Sequence, residues 1–187
     1  SLRTACGVAQ GLATAWACGV VAVSSFECMA AQFALQGGHQ VGHHGQALAC
    51  YVDARLQEFY AAGFSLPSGA SNHSGFTMLR SPCQIPATGQ AVQSFSESLV
   101  EGVGAPASKL LHLIDQSAHQ ILQDSGADLS GIDFQVIHPG AHGLAVLGVL
   151  AAQAGQLEEP FVLQPLYVRE KVAQTTSERM AARHVGV

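Results

Sequence analysis

The chain has 187 residues, a net charge of −5, 48% apolar residues and 11% charged ones. That size suits one ordinary domain or two small ones, and the composition excludes a disordered or charge-driven tail protein. The acidic balance argues against gripping phosphate backbones directly, since that affinity comes from clustered Lys and Arg.

The charge is unevenly spread. Between Ser1 and Val52 the only charged residues are Arg3 and Glu27, while Arg169, Lys171, Arg179 and Arg183 sit near the C-terminus. Such an uncharged first quarter is expected to be hidden from water. Thr4 to Val23 has about the length of a bilayer span, and Gly7-x-x-x-Gly11 fits a helix-dimer motif. However, Ala, Gly, Cys and Thr dominate the run, Gln10 interrupts it and no basic cluster flanks it, which favours a soluble reading.

On that reading Thr4–Cys18 is a helix, Gly19 ends it, and Val20–Val23 is a short buried strand. Ala5, Val8, Ala9, Leu12 and Trp16 form a stripe suited to a sheet. Gly7, Gln10, Gly11 and Thr14 form a second stripe, suited to a closely approaching helix. Ser24-x-x-Glu27 is a capping box opening a helix to about Gln36. Gly37 begins a polar, glycine-rich link. Ala47–Val52 and Glu58–Phe64 read as a hairpin around Asp53-Ala54-Arg55, and Phe76–Arg80 as a third strand. Lys109–Gln123 has a helical pattern through Leu110, Leu111, Ile114, Ala118, Ile121 and Leu122. Phe134–Ile137 is expected as a strand, Pro139 to Gly155 as a helix, and Phe161–Val168 as a last strand.

Little of this assembles chemistry. His39/His43 and His138/His142 have i, i+4 spacing for a metal, but the first pair lies in a glycine-rich link and the second spans Pro139 and Gly140. Ser71 and His73 fall in a turn-rich stretch without a nucleophile elbow. Asp53 ends a strand, where a local turn with Arg55 accounts for it. Cys6, Cys18, Cys28, Cys50 and Cys83 show no C-x-x-C pair and read as small apolar residues in a reducing compartment. No catalytic residue, metal site or cofactor is expected.

Three stretches carry a resemblance. LRTACGVAQGLATA followed by VVAVSSFECMAAQ resembles the "GLR-x-(small)-x-(small)-A-x-GLA … GVSSLEALA" segment of the TsaB family, also called YeaZ. ALACYVDARLQEFYAAGF resembles its "ALDAR-x-GEVY" hairpin, although Leu56-Gln57 replaces a hydrophobic-Gly pair. QPLYVREKVAQTTSER resembles its C-terminal "PLYVRDKVAxTTAER".

The resemblance implies an α/β fold of two actin-like/Hsp70-like ATPase (ribonuclease H-like) lobes, with the first lobe truncated by roughly seventy to eighty residues at ordinary domain size. Residues 1–38 would be the first-lobe remnant, 39–169 the C-terminal lobe and 170–187 a polar tail. It further implies a cytoplasmic, non-catalytic scaffold that pairs with a TsaD-like catalytic subunit and a TsaE-like ATPase. That assembly makes N6-threonylcarbamoyladenosine in tRNA, which the scaffold would meet only through the complex. Alone it would be a homodimer, and the matching interface residues are Gly7, Gln10, Gly11 and Thr14. The alternatives are a glycoprotease-like metal- or nucleotide-dependent hydrolase and a membrane-anchored protein.

Overall fold

A computed structural model describes residues 2–38, 47–65, 76–103 and 110–169. Helix α1 spans Leu2–Trp16 and α2 spans Ser25–Phe33, followed by one π turn at Ala34–Gly38. The capping box forms as expected. The Ser24 hydroxyl accepts from the Glu27 amide at 3.2 Å, and the Glu27 carboxylate accepts from the Ser24 amide at 2.8 Å.

The hairpin also forms, with β1 at Ala47–Arg55 and β2 at Glu58–Ser65. Its turn is unusual for lacking glycine. Arg55, Leu56 and Gln57 have φ of 63°, 57° and 61°, a left-handed run that costs L-residues about 1 kcal/mol each. Strand β3, Thr77–Pro86, is twice the expected length and pairs antiparallel with β2, its register broken around Gly63. Strands β4 (Leu110–Ile114) and β5 (Phe134–Val136) add in parallel, giving the order β3-β2-β1-β4-β5.

Both faces of this sheet are covered. On one side Ala49, Tyr51, Phe59 and Ile114 pack with Val92, Phe95 and Leu99 of α3 (Gly89–Val103) and with Ala118 and Leu122 of α4 (Gln116–Asp124). On the other, Leu48, Cys50, Ala62, Phe64 and Leu113 pack with Phe26, Met29 and Ala30 of α2. Helix α2 thus shares a core with the sheet. Helix α5 (Ala141–Gln153) packs on α2 where Gly143 lets the backbones close, since a Cβ there would stand 2.7 Å from the Cys28 carbonyl oxygen.

Three expectations are corrected, and one helix is added. The apolar run from Leu110 is not one helix. Leu110–Ile114 is a strand, and Asp115 caps a separate helix by accepting from the Ala118 amide at 2.7 Å. A strand buried on both faces is apolar without alternation, so its pattern merges with the helix that follows. Helix α3 is the addition: Val92, Phe95 and Leu99 are spaced for one face, and the Thr88 hydroxyl accepts from the Ala91 amide. Val20–Val23 is not a strand: Val20 makes a single bridge to Glu158. Phe161–Val168 is not a strand either. Pro160–Val162 form a 3-10 turn, and residues 163–169 follow without sheet pairing. Pro160 and Pro165 lack the amide donors a ladder requires.

Candidate partner interface

Helix α1 packs by a face that shares Gln10 with the second stripe. Ala13 is its one buried residue. Around it, the Gln10 side-chain amide donates to the Leu163 carbonyl at 3.0 Å, and the Arg3 guanidinium donates to the Tyr167 hydroxyl at 2.6 Å. Arg3, Gln10 and Ala13 are spaced by seven and three residues, which puts them on one side of a helix. They face the segment after Pro160.

Along the stripe Ala5, Val8, Ala9, Leu12 and Trp16, expected to face a sheet of the truncated first lobe, Val8 is 57% and Trp16 70% exposed, while Ala9 is half-buried. Gly7 and Gly11 lie on the flank between the two faces, where a Cβ would meet nothing within 4 Å. Thr14 is exposed, and its hydroxyl donates back to the Gln10 carbonyl at 2.8 Å. Of the four expected interface residues, Gly7, Gly11 and Thr14 are open to solvent, while Gln10 is half-buried against its own chain. An open groove lies between the C-terminal end of α1 and Leu157–Phe161, with Gln10 and Thr14 on its wall.

The remaining polar groups serve the fold. The Asp115 carboxylate spends its second oxygen on the Asp53 amide at 2.9 Å, tying the end of β1 to the start of α4. Asp53 accepts from the Arg55 amide at 2.6 Å, a local turn contact as expected. Tyr51 is buried, and its phenol is pushed above its ordinary pKa by desolvation. The Ser96 hydroxyl gives its proton to the Val92 carbonyl, so the Tyr51 hydroxyl donates to Ser96 at 3.1 Å. His112 stacks on Tyr51 and meets Phe134 edge-on. Its Nδ1 has no partner, and burial pushes its pKa down to about 4, with Asp133 opposing weakly.

His138 lies in the exposed loop before α5, and His142 in its first turn. His39, His43, Ser71 and His73 fall outside the described residues. Among the described residues no three His, Cys, Asp or Glu side chains gather in a metal-binding group, and no helix is long and apolar enough to cross a membrane. Cys28 and Cys50 are buried, their thiols raised by desolvation, whereas Cys18 is exposed.

The mixed sheet with helices on both faces makes this chain an α/β protein of the actin-like, ribonuclease H-like fold. More particularly, its fold is that of YeaZ. It is similar to YeaZ from Pseudomonas aeruginosa with a TM-score of 0.61 at 22% identity, covering 88% of this chain and 67% of that one. It is also similar to an uncharacterized protein with similarity to peptidase YEAZ from Pseudomonas aeruginosa. There the TM-score is 0.64 at 23% identity, covering 89% of this chain and 67% of that one. The chain thus spans about two thirds of the length of either structure. No family model and no curated protein matches it.

Proposed function

We propose that this chain is a TsaB/YeaZ-type scaffold subunit that acts through α1, pairing with a TsaD-like catalytic subunit in threonylcarbamoyladenosine synthesis on tRNA. The observation that carries the reading is the outward face of α1. A helix with the open Gly7 and Gly11 flanked by the exposed Val8 is suited to take another helix at short range. Small residues let two backbones approach and bury area without ordering long side chains, which lowers the entropic cost of association. The YeaZ fold and the three sequence blocks that resemble TsaB support this choice of partner. On the same reading the chain dimerises alone, works with a TsaE-like ATPase in the cytoplasm and meets tRNA only through the complex.

The test is co-purification of the cognate TsaD-like subunit with Gly7→Leu/Gly11→Leu. Because both positions are open, the substitutions leave the chain folded, and each leucine favours the helix by about 0.8 kcal/mol. Loss of the partner with an unchanged circular dichroism spectrum is the expected result. Recovery of the partner at wild-type yield would show that α1 is not the interface.

A further inference from the structure

Residues 163–169 have no secondary structure, and no backbone hydrogen bond joins 164–169 to another described residue. Side chains hold this segment at both ends. On α1, Gln10 reaches the Leu163 carbonyl, while Arg3 donates to the Tyr167 hydroxyl with its guanidinium 5.5 Å from the ring centre. At the far end Arg169 seizes the hairpin. It donates to the Glu58 carboxylate at 2.5 Å, to the Ala54 carbonyl at 3.0 Å and to the Gln84 side chain at 3.4 Å, and lies over the Tyr60 ring.

We infer that residues 163–169 form a strap whose latch is Arg169, so that the first half of α1 is held in place from the tip of the β1–β2 hairpin. The Arg169 anchor lies six positions beyond Leu163, a reach of up to about 20 Å. Direct packing does not couple side chains over such a distance, and mutations that far apart ordinarily act independently. The C-terminal end of α1 has its own tether in the paired amides and carbonyls of Val20 and Glu158, at 2.9 and 2.8 Å. Release of the latch therefore acts on Leu2–Ala9 rather than on the whole helix. Arg169 is only 13% exposed and Glu58 32%, so salt weakens the latch in part without abolishing it. A cation or donor competing for Glu58 and the Ala54 carbonyl would loosen α1 without touching it. The strap thus joins the helix proposed above to a second surface, although it holds or fails independently of that function.

Hydrogen exchange on the full chain, resolved by peptide, tests the strap. In Arg169→Ala, amides of Leu2–Ala9 and of the turn Arg55–Glu58 are expected to exchange roughly tenfold faster, the scale of one hydrogen bond to a charged group. Amides of Leu48–Tyr51 and Leu111–Ile114 keep their wild-type rates. Tyr167→Ala is expected to accelerate Leu2–Ala9 while leaving the turn unchanged. Glu58→Gln, which keeps the shape, gives the Arg169→Ala pattern at smaller amplitude and removes its salt dependence. If Arg169→Ala moves the turn but not α1, or if the core strands accelerate equally in Arg169→Ala and Glu58→Gln, there is no strap.

Discussion

Gly63 sits inside β2, where glycine ordinarily weakens a strand. A Cβ at this position would stand 2.2 Å from Cδ2 of Leu99 and 3.1 Å from its Cδ1. Leu99 is buried among Phe95, Val92 and Phe59, so its side chain has little room to withdraw. Gly63→Ala should therefore overpack the contact between β2 and α3, at about 1–3 kcal/mol. The reduced chain entropy of alanine offsets about 0.5–1 kcal/mol of that, leaving a net loss near 1 kcal/mol, within a span of roughly 0–2.5 kcal/mol. Leu99→Ala alone should cost about 2–5 kcal/mol through the cavity it leaves. In that background Cδ1, Cδ2 and also Cγ (3.2 Å from the added Cβ) are gone, and Gly63 is not among the glycines with positive φ. The same Gly63→Ala substitution should then stabilise by about 0.5–1 kcal/mol. Urea unfolding of the four proteins, with the m-value held constant, reads this change of sign directly. If the two losses simply add, Leu99 is not the reason for glycine at position 63.

Acid should weaken the fold through His112. Its folded pKa of about 4 lies below the unfolded value of about 6.5, so the unfolded chain takes up a proton first as pH falls. Stability is expected to be full above pH 6.5 and to fall by roughly 3 kcal/mol as pH drops to about 4. His112→Phe should flatten this slope in urea midpoints between pH 7 and 4.5, and an unchanged slope would assign the loss to other groups. In the hairpin turn, Gln57→Gly should stabilise the chain by about 0.5–1 kcal/mol by relieving a left-handed residue. It keeps the Gln57 carbonyl that accepts from Ala87 at 2.9 Å, and a lowered thermal midpoint would contradict the strain argument.

Local chemistry made parts of this fold legible in the sequence. The Ser24/Glu27 box and the alternation around Asp53 involve residues a few positions apart, so their physics lies inside a short window. Asp115 shows the opposite case. It ends the apolar run Leu110–Ile114 and caps α4 locally at Ala118, but its role as partner of the Asp53 amide follows from pairing across 62 positions. The packed face of α1 is hidden in the sequence for a related reason. Hydrophobicity singles out Leu12 and Trp16, yet the packed face is the one with Gln10 and Arg3, whose partners lie more than 150 positions away. Gly7 and Gly11 were readable as small, but their openness is a property of the assembled surface.

The sheet also limits how anything can join this molecule. Its outer strands are β3, which carries Pro82 and Pro86, and β5, which has only three residues. Prolines remove backbone donors from one edge, and brevity leaves little ladder on the other, two devices that discourage strand addition and edge-to-edge aggregation. A newcomer gains little by extending the described sheet. Recognition at these two edges is left to side chains rather than to backbone pairing.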